Sequence, residues 1–175
     1  GIHAAVTGAV IRNCRFENNY TGANGQGGGL WLGPSGTVEN CTFSRNRADV
    51  GGGLYASNGL ALAGCTFTGN WTSAGSGGGA YATGNATVTN CDFIANQAGT
   101  GTSSQGGGGF CTWSSSATTL IANCRFLRNN SREQGGAVTL RRGGTVADCV
   151  FLANTATNDG GRRITINLFP AEDVR

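Results

Sequence analysis

The sequence predicts an all-β fold, a right-handed parallel β-helix of about six coils, each of roughly 25 residues with three short strands. Three observations predict it. A frame of Asn, Gly or Asp followed by Cys-x-Phe occurs six times, at Asn13–Phe16, Asn40–Phe43, Gly64–Phe67, Asn90–Phe93, Asn123–Phe126 and Asp148–Phe151. An Asn stands three residues beyond each Phe, at Asn19, Asn46, Asn70, Asn96, Asn129 and Asn154. A glycine cluster then follows in every unit: Gly27–Gly29, Gly51–Gly53, Gly77–Gly79, Gly106–Gly109, Gly135–Gly136 and Gly160–Gly161. Successive framed cysteines are 27, 24, 26, 33 and 25 residues apart.

Composition narrows the alternatives. The chain has 175 residues, with 32 Gly, 2 Pro, 7 Cys and no Met. That glycine share is well over twice the usual value of about 7%, which disfavours long amphipathic helices. Collagen is excluded because the glycines have no three-residue period and Pro is scarce. With 38% apolar residues and ordered Cys and Phe, low-complexity disorder is excluded too. No apolar run is long enough to span a bilayer as a helix. The 12 cationic residues are all Arg, and the net charge of +3 is too small to imply nucleic acid. Eight of those arginines lie beyond residue 120. The chain opens at Gly1 without Met or a signal-like stretch, which fits a processed chain or a fragment.

The elements follow in order. Residues 1–10 supply a partial first coil, ending at Val10-Ile11. In each Cys-x-Phe, two residues point inward around one outward residue, because side chains alternate along a strand. Stacking at about 4.8 Å then piles Cys on Cys and Phe on Phe, and lets the corner Asn amides bond along the stack. Short β-like runs close the units, at Thr37-Val38, Leu60–Leu62, Thr87-Val88, Thr119-Leu120 and Thr145-Val146. Helical pairs fail for want of glycine-free stretches, and leucine-rich repeats fail for want of their Leu frame. Repeats are expected over residues 1–161. Residues 162–175, with Arg162-Arg163, Ile164-Thr165-Ile166 and Phe169-Pro170, form a divergent last strand and tail expected to cap an end.

Few residues suggest chemistry. One Cys per coil gives no Cys-x-x-Cys ligand pair and poor bridging geometry, so the cysteines read as buried small hydrophobes. Cys111 reads as a packing substitution at the slot of Leu32, Ala56, Ala82 and Thr139. Trp31, Tyr55, Tyr81 and Phe110, continued by Val138, align as an aromatic column. Outward it is a stripe for stacking on sugar rings; inward it is core, and the alternation leaves both open. Trp71 and Trp113 stand near loops that extend such a surface. The outward slot of the Cys-x-Phe strand reads Arg15, Thr42, Thr66, Asp92, Arg125 and Val150. Its one carboxylate beside Arg125 reads as a neighbouring-strand ion pair. Paired carboxylates are missing and the sole histidine is His3, so no catalytic, metal or cofactor residues are expected. Arg125, Arg128 and Arg132, with Arg141 and Arg142, offer contacts for an anionic glycan or acidic partner, or simply a solvated face. An outward file of Thr37, Thr87, Thr119 and Thr145 raises ice binding, but Ala61 interrupts it.

The Phe-x-x-Asn element, with Gly-Gly-Leu or Gly-Gly-Ala at Gly28–Leu30, Gly52–Leu54, Gly78–Ala80 and Gly135–Ala137, resembles the repeats of the chlamydial polymorphic outer-membrane proteins. It is also similar to bacterial right-handed β-helix repeat proteins of pectate-lyase-like architecture. The resemblance implies a bacterial passenger region that is secreted or displayed at the cell surface, often as an adhesin. The expected function is a non-enzymatic structural or adhesive module of a larger protein or assembly. It would touch a protein or glycan partner through an outer face, without nucleic acid, cofactor or membrane-spanning segment. A carbohydrate-binding or carbohydrate-active protein is the alternative.

Overall fold

The computed structural model describes residues 1–99, 106–113, 118–141 and 143–157. These form six stacked coils of parallel strands, with no helix among them. Sheet I holds Ile2–Ala4, Leu30–Leu32, Leu54–Ala56, Ala80–Ala82, Phe110–Thr112 and Val138–Leu140. Sheet II holds Val10–Arg12, Thr37–Glu39, Leu60–Ala63, Ala86–Thr89, Thr119–Ala122 and Thr145–Ala147. Sheet III carries the repeated frame as Arg15–Glu17, Thr42–Ser44, Thr66–Thr68, Asp92–Ile94, Arg125–Leu127 and Val150–Leu152. Three strands per coil are therefore present, and the first coil has all three. A shorter sheet IV adds the two-residue strands Arg47–Ala48, Trp71–Thr72, Gln97–Ala98, Asn130–Ser131 and Thr155–Ala156. Two residues are too few to carry an alternation pattern, so nothing in the sequence announced this sheet.

The inward slots meet as expected. Phe43, Phe67, Phe93 and Phe126 are fully buried, and neighbouring Phe rings from Phe16 to Phe151 stack at 4.6–5.0 Å. Cys41, Cys65, Cys91 and Cys124 line the corner between sheets II and III. Each cysteine N–H from Cys14 to Cys124 lies 3.4 Å from the sulfur of the next coil. Leu30, Leu32, Val38, Leu54, Leu62, Val88 and Ile121 complete the core from sheets I and II.

The corner between sheets III and IV is polar and closed. Asn70 Oδ1 accepts from both the N–H and Nδ2 of Asn46, at 3.0 Å each. Asn70 Nδ2 donates to Asn96 Oδ1 and to the Phe43 carbonyl, at 2.9 Å each. Asn46, Asn96 and Asn129 repeat the arrangement, so a buried amide is satisfied at all four of its sites. The residue before each ladder Asn is left-handed. Arg45, Ala95, Arg128 and Ala153, with φ of 51–55°, occupy this conformation without being glycine or asparagine. The corner before sheet I uses glycine instead, as at Gly51 with φ 63°.

Two register assignments are corrected. Phe110 pairs with Ala80 and Val138, in line with Leu30 and Leu54, and is fully buried. It is a core residue, and Cys111 takes the slot of Tyr81. Cys111 therefore does not share the slot of Leu32, Ala56 and Ala82. Four glycines precede Phe110 where three precede Leu30, and glycines carry no side chain from which to count register. Thr119 pairs with Ala86 and points inward, 1% exposed, whereas Leu120 stands in the file of Thr37, Ala61, Thr87 and Thr145.

Two stability predictions follow from these contacts. Asn96→Ala strips acceptors from Asn70 and the donor from the Phe67 carbonyl, and should cost about 3 kcal/mol or more in urea unfolding. Thr119 Oγ1 is buried with no hydrogen-bond partner among the described residues. Thr119→Val should therefore raise stability by about 1 kcal/mol.

Candidate functional site

The rod offers chemistry only through outward rows, one residue per coil at strand spacing. In sheet I the row runs His3, Trp31, Tyr55, Tyr81, Cys111 and Thr139. The aromatic column thus faces outward over Trp31, Tyr55 and Tyr81, all half-buried, and gains His3 at its start. His3 stacks on Trp31 at 4.5 Å and 12°, Trp31 on Tyr55 at 6.0 Å and 16°, and Tyr55 on Tyr81 at 5.5 Å and 18°. Rings stacked along the rod turn their faces to one another and their edges to solvent. Sugar stacking needs a free face, and both faces of Trp31 are occupied. Gln26, from the loop before sheet I, accepts from Trp31 Nε1 at 3.1 Å. Burial pushes the hydroxyls of Tyr55 and Tyr81 above the ordinary tyrosine range.

Sheet IV supplies a second row, unmarked in the sequence. Tyr20, Arg47, Trp71, Gln97, Asn130 and Thr155 are successive partners along it. The Arg47 guanidinium lies 4.0 Å from the Trp71 ring centre and 5.1 Å from that of Tyr20. Stacking between two rings leaves its in-plane N–H groups directed outward. An open cleft of 190 Å³ lies beside this row, with His3, Tyr20, Thr21, Gln26 and Trp31 in its walls. Arg141 repeats the stacking on Trp113, at 3.5 Å from the ring centre. Arg142 lies outside the described residues.

Sheet III holds the expected ion pair. Arg125 Nε and Nη2 donate to the two Asp92 carboxylate oxygens, each at 2.7 Å. Those hydrogen bonds hold Asp92 below its ordinary pKa, against a smaller opposing effect of burial. Glu17 is likewise lowered by Arg45, with Arg15 adding to the effect. Arg12 pairs with Glu39 at 2.6 Å.

All seven cysteines are free thiols. Burial pushes Cys41 up, and pushes Cys111 up to about 12. Hydrogen bonds with Cys124 and Cys65, and then burial, hold Cys91 protonated. Such thiols are poor nucleophiles and poor metal ligands. Among the described residues, no group of His, Cys, Asp and Glu is placed to hold a metal, and no helix is long and apolar enough to cross a membrane.

Four in-register parallel sheets around ladders of Phe, Cys and Asn define a parallel β-solenoid. Residues 1–108 match the model of the family described as right handed beta helix region, and the chain belongs to that family. No curated protein and no solved structure matches the chain.

The Asp92–Arg125 pair has a predictable pH dependence. A depressed carboxylate pKa contributes stability above the unfolded value of about 3.9, and that contribution is lost as pH falls through the lower folded value. Asp92→Asn should cost less than about 1 kcal/mol at pH 7, because the pair is largely exposed. The cost should vanish near pH 2, as read from denaturation midpoints at the two pH values.

Proposed function

We propose that this chain is a non-enzymatic structural and adhesive β-helix module, secreted or displayed on a bacterial surface as part of a larger protein or assembly. The observation that carries this reading is how the outward groups are spent. Aromatic rings stack on aromatic rings, Arg47 and Arg141 stack on indoles, and Asp92 is tied at both oxygens to Arg125. General acid–base chemistry needs a carboxyl group free to exchange its proton with substrate; Asp92, paired in this way, instead stiffens a surface. A rigid rod with pre-ordered side chains loses little entropy on docking, which suits a binding face.

The Tyr20–Arg47–Trp71 row favours the carbohydrate-binding alternative as a second reading. Tyr20 is 63% exposed at the lip of the cleft, and Arg47 offers hydrogen-bond donors beside it. Beads coated with the wild type, Tyr20→Ala and Arg47→Ala would be tested on cell surfaces and on a glycan array. The adhesive reading expects capture by protein-bearing surfaces that survives glycosidase treatment. Glycan binding lost in both variants would establish the second reading instead, and release of sugar from any polysaccharide would sink the non-enzymatic one.

A further inference from the structure

The last described coil is open on its far side. Its inward residues Leu140, Val146, Cys149 and Phe151 are only half-buried. Their counterparts one coil earlier, Thr112, Ile121, Cys124 and Phe126, are at most 2% exposed. Backbone donors along sheet I show what such an edge accepts. The N–H groups of Leu30, Leu54, Ala80 and Phe110 bond to the carbonyls of Gly53, Gly79, Gly109 and Ala137 in the following coil. Val138 stands next in that series.

The glycines show where a further coil can follow. A Cβ on Gly28, Gly52, Gly78, Gly108 or Gly136 would strike the sheet IV backbone of the next coil, at Arg47, Trp71, Gln97, Asn130 and Thr155 respectively. A Cβ one position later, at Gly29 or Gly109, would meet the next carbonyl at 2.8 Å and the next coil's Phe ring. The first slot therefore demands glycine wherever another sheet IV strand stacks above it. The second demands little beyond hydrogen, and Ala137 is the first described residue to relax it.

The chain beyond residue 157 keeps this frame and then breaks it. In every described coil the strand residue stands three places after the left-handed glycine: Gly27 to Leu30, Gly51 to Leu54, Gly77 to Ala80, Gly107 to Phe110 and Gly135 to Val138. Counting likewise from Gly161 reaches Ile164. Ile164, Thr165 and Ile166 then fall opposite Val138, Thr139 and Leu140, apolar on apolar inward and Thr on Thr outward. Counting from Gly160 would instead turn Arg163 inward against Val138, burying an unpaired charge. In the favoured frame Arg162 and Arg163 fill the two glycine slots.

We propose that Ile164–Ile166 pairs with Val138–Leu140 as a seventh strand of sheet I, and that Arg162 and Arg163 end the stack there. Their side chains take the space that the next coil's sheet IV backbone and Phe ring would need. A charged, bulky edge also blocks head-to-tail growth by a second copy, whose first coil would otherwise continue the Phe, Cys and Asn ladders.

Hydrogen exchange on the full chain tests this. The Val138 amide should be protected in the wild type independently of protein concentration. It should exchange at least about tenfold faster in Thr165→Pro and Ile164→Asp, with the amides of Phe67 and Val88 unchanged as the folding control. In sedimentation, Arg162→Gly/Arg163→Gly should associate with rising concentration while the wild type stays a monomer. An unprotected Val138, or equal protection in both strand variants, overturns the pairing. Protection that appears only at high concentration assigns the edge to a second copy and overturns it as well. A double glycine variant that stays monomeric overturns the arginine stop.

Discussion

The structure depends on one constraint: each coil must present to the next the same group at the same height. The asparagine corner states it most sharply. Asn70 is completely buried, and its amide is satisfied only because Asn46 lies one coil before it and Asn96 one coil after. A buried amide left half-paired costs more than its bonds return, so a shift in one coil is resisted by its neighbours. The Phe and Cys ladders tolerate some sliding, because apolar packing is not directional. The amide ladder does not, and it locks their register.

Conformational strain is accepted at the corners to keep that register. Two left-handed residues bracket each sheet III strand, and most are Asn or Gly, which adopt this conformation at little cost. Arg45, Ala95, Arg128 and Ala153 adopt it without such help, because the ladder Asn that follows each of them must stay in line. Turns held by tertiary contacts therefore override local preference. Most of the glycine content is likewise ordered punctuation, placed where the backbone must turn or pass close beneath the neighbouring coil.

Stacking also decides what the surface offers. Equal spacing turns outward side chains into rows, and rows of like residues bind one another first. Trp31 spends its faces on His3 and Tyr55, and Asp92 spends its charge on Arg125. Arg47 is the contrast, since stacking on Trp71 and Tyr20 uses its faces and leaves its donors free. A β-helix built this way is stiff and continuous, which supports a role in display and contact.

The sequence by itself determined the coil frame. Cys-x-Phe sets which residues point inward, the Asn three positions on sets the polar corner, and the glycine clusters mark the turn into sheet I. Each signal is a side chain that only one slot accepts. Tertiary structure alone decided the rest. Phe110 moved from the outward column to the core because the run Gly106–Gly109 has no side chains to fix its phase; counting forward from the last glycine, as from Gly29 to Leu30, would have placed it. Thr119 moved inward for a similar reason, after a connection of different length, and counting back from Cys124 finds it. Sheet IV, with its Tyr20–Arg47–Trp71 row, had no sequence signal, because its two-residue strands share no residue type. Period-two alternation carries information only while its phase is known, and across glycine runs and unequal loops that phase is restored by contact with the coil below.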